Sequence, residues 1–60
     1  MKIRVGTRLL SFDEETALWL KTEIINIDSE GFVRLRNDNG VVWETDTDEL
    51  KDTTCFKDLK

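Results

Sequence analysis

Along the chain, short runs of alternating apolar and polar residues are separated by clusters of Asp, Asn, Ser, Thr and Gly at short, even intervals. That pattern predicts a small all-β domain. In Gly31–Arg36 the alternation sets Val33 and Leu35 on one face and Phe32, Arg34 and Arg36 on the other. Val41–Glu44 is a further strand, with Val41 and Trp43 opposing Val42 and Glu44 and its inward face left open. At the start, Met1, Ile3 and Val5 alternate with Lys2 and Arg4, Gly6 bends the strand, and Leu9 and Ser11 point inward. Turns are expected at Phe12–Thr16, Asp28–Gly31, Asn37–Gly40 and Thr45–Asp48. Asn39-Gly40 gives the strongest hairpin signal, because Asn and Gly tolerate the left-handed conformations of tight turns.

Residues 17–27 admit two patterns. As a strand they put Leu18, Leu20, Thr22 and Ile24 on one face, with a bulge near Ile25-Asn26 returning Ile27 to it. As a helix they show a Ser11–Glu14 capping box and a stripe of Ala17, Leu20, Ile24 and Ile27. The β-branched run Ile24-Ile25 with Ile27 favours the strand. The alternative fold is a β-α-β-β domain.

Length and composition narrow the chemistry. Sixty residues make one domain, 1–60, with a small core and marginal stability. With no His and a single Cys, the chain lacks the residues for a disulfide framework, a Ser-His-Asp or Cys-His nucleophile, or a conventional zinc site. Asp46-Thr47-Asp48 has the acidic spacing of a calcium loop, but the positions that need Gly and an acid hold Lys51 and Lys57. The reading is therefore non-enzymatic, with no metal and no cofactor, and Asp46 or Thr47 is expected to cap a helical turn. Ala17–Leu20, the longest kind of apolar run, is far shorter than the roughly 20 residues that span a bilayer, and Met1–Arg4 lacks the apolar region of a signal peptide. No membrane partner is expected, the location is expected to be cytoplasmic, and Cys55 is expected to stay reduced and to pack as a small apolar residue.

With strands placed in this way, the sequence resembles the Tudor-like branch of the SH3-like small barrels. The resemblance rests on Val5-Gly6, the Trp19–Ile27 segment, Gly31-Phe32-Val33-Arg34-Leu35, Asn39-Gly40 and Leu50. It implies a five-stranded antiparallel barrel with a short helical turn, Thr45–Leu50, before a last strand, Cys55–Leu59. The aromatic cage by which Tudor domains hold methylated cations is not preserved. Leu20, Leu35 and Asn39 stand where the resemblance places aromatic walls, leaving only Phe12 and Trp19.

Two functions remain. A protein-interaction module, a regulator or inhibitor of a larger protein, would present Phe12, Trp19, Phe32 and Trp43, since exposed Trp is typical of interaction hot spots. The plainer role for both Trp rings is to complete the core. A small barrel binding RNA or single-stranded DNA would instead use Arg8, Arg34 and Arg36 beside Phe32. Against that, the net charge of −4 opposes phosphate-driven binding, and cross-strand pairing with Glu23 or Glu44 could occupy those arginines. Exposed aromatics would also permit a homodimer.

Overall fold

The computed structural model describes residues 2–59. Its strands are β1 (Arg8–Asp13), β2 (Leu18–Ile27), β3 (Phe32–Asn37), β4 (Val42–Asp46) and β5 (Phe56–Asp58), with a 3₁₀ turn at Glu49–Lys51 before β5. They form one antiparallel sheet in the order β4-β3-β2-β1-β5. Among the described residues no strand pairing joins β4 to β5, so the hydrogen-bonded sheet is open. Leu18–Ile27 thus resolve as strand, with Ala17 in the preceding turn, and the helical alternative is excluded.

Alternation decides which side chains go inward. Leu9, Ile24, Val33 and Leu35 are fully buried on one face, and Leu50 from the 3₁₀ turn and Phe56 from β5 complete the cluster. Ile3, Ile27 and Trp43 pack around it. A flat sheet would leave these side chains half wet, so their complete burial requires the sheet to curl around them. The bulge keeps β2 in phase. Ile24 pairs with Leu35 and Ile27 with Val33, while Ile25 is the extra residue that lets both isoleucines face the core. Inside, Ser11 and Thr22 join hydroxyls at 2.6 Å, and Thr22 Oγ1 donates to the Leu20 carbonyl at 3.1 Å.

The two hairpins of the β2-β3-β4 meander repeat one local design. Asp28 Oδ1 accepts the Glu30 and Phe32 N–H groups, both at 2.9 Å, and Asn37 Oδ1 accepts those of Asn39 at 2.9 Å and Val41 at 3.1 Å. In each, a Gly three residues on donates to the carbonyl of the same Asx residue, at 3.2 Å for Gly31 and 2.9 Å for Gly40. Their φ values of +90° and +81° lie where a side chain is strained, which is why Gly ends both turns. The β1-β2 turn lacks this device. Asp13 accepts from the Glu15 N–H and the Thr16 hydroxyl, and Ala17 takes φ +58° without being Gly.

Several expectations are corrected. The first strand starts at Arg8, not near the N-terminus: residues 4–6 turn, and only Gly6 and Thr7 bond to the backbone of Ile24. The predicted role of Met1 in that strand lies outside the described residues. β1 runs on through Phe12 and Asp13, because Phe12 and Asp13 still pair with Trp19 and Leu18. β4 likewise continues through Thr45 and Asp46, whose pairing with Val33 and Phe32 outweighs their turn propensity, so the helical turn begins only at Glu49. Trp43 and Thr45 are the inward residues of β4. Asp46 Oδ1 accepts the Glu49 N–H at 2.8 Å, as a cap would, and Thr45 Oγ1 donates to Glu49 Oε2. Cys55 is exposed rather than packed. It ends a tight turn in which its N–H donates to Asp52 and its carbonyl accepts from Phe12, so the adjacent Phe56 enters the core and Cys55 faces out.

Two measurements probe these turns. A left-handed Ala costs roughly 1–2 kcal/mol, which Gly recovers in part after its greater unfolded entropy, so Ala17→Gly is expected to raise stability by about 0.5–1 kcal/mol in urea unfolding. The Asp52 carboxylate accepts the Thr54 hydroxyl at 2.7 Å and the Thr54 N–H at 3.0 Å, which hold its pKa below the usual 3.8. Its contribution is therefore complete above that value and lost as pH falls through the lower folded pKa. The urea midpoint is expected to drop with acidification below about pH 4, and part of that drop should vanish in Asp52→Ala.

Candidate functional site

The outward faces of the strands carry the side chains that the core does not use. Register places them in rows. Phe12 lies directly across from Trp19; Lys57, Leu10 and Lys21 cross β5, β1 and β2; Arg8, Glu23, Arg36 and Val42 cross β1 to β4. Asn26, Arg34 and Glu44 form a further row, and Phe32 pairs with Asp46 at the far end of β3.

Phe12 and Trp19 meet as an edge-to-face pair, with ring centroids 5.3 Å apart and planes at 64°. Such a pair contributes about 0.5–1.5 kcal/mol beyond its buried area. Lys57 Nζ stands 4.2 Å from the Trp19 ring centroid, as a cation over a π face. Trp19 is consequently half-buried, although it points away from the core, while Phe12 keeps 38% of its surface exposed.

The predicted aromatic patch does not assemble as a whole. Trp43 is on the inner face, opposite Leu35 and packed on the core. Phe32 is outward and exposed, but nearly the full length of β2 separates its end of the sheet from Trp19. Of the positions where the Tudor resemblance expects cage walls, Leu35 is fully buried and Leu20 half-buried, while Asn39 sits in the β3-β4 turn. The arginines also divide. Arg34 Nη2 donates to Glu44 Oε2 at 3.1 Å, an exposed pair contributing about 0.2–1 kcal/mol. Arg8 and Arg36 instead flank Glu23 and, with Lys21, Asp38 and Leu59, line a shallow cleft of about 300 Å³. The alternation of β1 and β2 marks Lys21 as outward, yet its place beside Arg8 and Arg36 depends on register, which alternation does not supply. A second cleft beside the 3₁₀ turn is lined by Ile3, Leu50 and Phe56, which belong to the core cluster.

Replacing Lys57 by Gln shortens the side chain by one atom and removes the ammonium from the Trp19 face. This change is expected to lower stability by about 0.5–1 kcal/mol and to shift Trp emission, read together in one urea titration. No helix among the described residues is long and apolar enough to cross a membrane. Comparison with protein-family models, curated proteins and solved structures finds no match to this chain.

Proposed function

We propose that this chain is a small non-enzymatic protein-interaction module that docks a larger protein on the outer face of β1, β2 and β5. The observation that carries this reading is the Phe12–Trp19 pair, set on the face turned away from the core. Two aromatic rings there do no packing for the core cluster, and a rigid aromatic anchor beside charged residues is the usual composition of a binding hot spot. The strand order and the 3₁₀ turn before β5 support an SH3-like reading of the fold, a small scaffold that serves binding rather than catalysis. A regulatory or inhibitory role in the cytoplasm fits the same picture.

The nucleic-acid alternative has weaker support. Arg34 is engaged by Glu44, Phe32 lies apart from Arg8, and Lys57 covers a face of Trp19 on which a base would stack.

The test is affinity capture of the tagged full chain from its native cells, with and without nuclease, beside the Phe12→Ala/Trp19→Ala double variant. A defined protein partner is expected to persist after nuclease and to be lost from the double variant, with folding of the variant checked by circular dichroism. Partners that disappear with nuclease would shift the function to nucleic acid.

A further inference from the structure

Among the described residues, the cations of the outer face fall into two groups. Arg34 is ion-paired, whereas no ion pair holds Arg8, Lys21 or Arg36, even though register sets Glu23 between the two arginines. These free cations converge on the cleft described above. They also continue, row by row, from the aromatic pair: first Phe12 and Trp19, then Leu10 between Lys21 and Lys57, then Arg8, Glu23 and Arg36. Successive rows are two residues apart along β1 and β2, a spacing of about 6.6–6.8 Å. An extended peptide repeats its side chains on one face at the same interval.

We propose that this stripe is a docking site for an extended acidic segment of a partner protein, a deepening that rests on the interaction-module reading. An aromatic or aliphatic residue of the segment packs on Phe12 and Trp19. Carboxylates at alternate positions after it then meet Lys21 with Lys57, and next Arg8 with Arg36. Guanidinium groups suit the last place because their forked donors match a carboxylate's two oxygens. Glu23 and Asp38 decide the kind of anion. Glu23 leaves the arginine row with a net charge of one positive unit, and Asp38 lies at the cleft's rim, so the interspersed carboxylates weaken the pull on a continuous polyphosphate and favour discrete carboxylates seated beside individual cations. Lys57 over Trp19 also denies a nucleobase an open ring.

The test uses the full chain and an array of capped six-residue peptides. Each carries one Phe or Leu and two Asp or Glu in every alternate arrangement, beside counterparts with Asn or Gln and with Lys, and a single-stranded thymidine hexanucleotide. Binding is read by fluorescence anisotropy and by amide shifts of Arg8, Lys21 and Arg36. At least one acidic peptide is expected to bind about tenfold or more tightly than its amide counterpart, with affinity falling as salt rises. Arg8→Gln with Arg36→Gln should erase that preference, and Arg8→Glu with Arg36→Glu should reverse it toward Lys peptides. If the double variants do not fold, the exposed single change Lys21→Gln should still narrow the preference.

Acidic peptides no better than their amide counterparts, a preference indifferent to these substitutions, or tighter binding of the hexanucleotide would each overturn the proposal. Capture of a protein that needs Phe12 and Trp19 but not Arg8 and Arg36 would leave the interaction module standing and remove only its acidic ligand. Loss of nothing in either variant set would remove both.

Discussion

The two-residue period of a β-strand is the constraint on which this fold depends. Among the described residues there is one sheet and no long helix, so every inward position must contribute to a single core, and a slip of one residue on any strand would turn its apolar set to solvent. β2 is too long to keep phase unaided, because Ile24 and Ile27 are an odd number of residues apart and yet both belong inside. The bulge at Ile25 resolves the conflict. It places Ile27 opposite Val33, and the same irregularity lies where Gly6 and Thr7 bond to Ile24, so the N-terminal segment reaches the core at the point where the ladder is locally broken.

What the core takes in determines what the surface presents. Because Leu9 and Ser11 face in, Arg8, Leu10 and Phe12 face out; because Thr22 and Ile24 face in, Trp19, Lys21 and Glu23 face out. The outer stripe is thus the complement of the core, its spacing fixed by the pleat, with Phe12, Trp19 and Lys57 in contact at one end. This explains why its charges need no internal partners: their positions are set by the backbone ladder. The polar groups that do go inside are satisfied, with Ser11 and Thr22 bonded to each other and no buried side-chain N or O left without a partner among the described residues.

Much of this was legible in the residues. The inward pair Val33 and Leu35, the bulge after Ile24, the Asn-Gly turn and the outward side of Trp19 all follow from alternation and turn chemistry. The strand ends were less legible. Phe12-Asp13 and Thr45-Asp46 read as turns because Asp and Thr favour them, but cross-strand pairing partners override such local preferences. The N-terminal alternation of Met1, Ile3 and Val5 suggested a strand, yet for its described part Ile3 serves the core from a non-strand segment. Trp43 had an undecided face, since Val41 and Val42 offer apolar choices on both sides; only the register with Leu35 turns it inward. The separation of Arg34 from Arg8 and Arg36 is equally a matter of register, because same-face residues of one strand can still find different neighbours.

The paired Asx-Gly turns also divide the sheet into local and long-range pairings. The β2-β3-β4 meander is closed by contacts between residues close in sequence, each turn encoding its own geometry, so its loops cost little entropy to close. β5 is different: it joins β1 across most of the chain, through a ladder of Leu9, Leu10 and Ser11 that the Phe12 N–H extends by donating to the Cys55 carbonyl. That short ladder carries Lys57 to Trp19 and Leu59 to the cleft. The β5 end of the chain therefore supplies the outer stripe with Lys57 and the cleft with Leu59, and a molecule that held both would also hold β5 on the sheet.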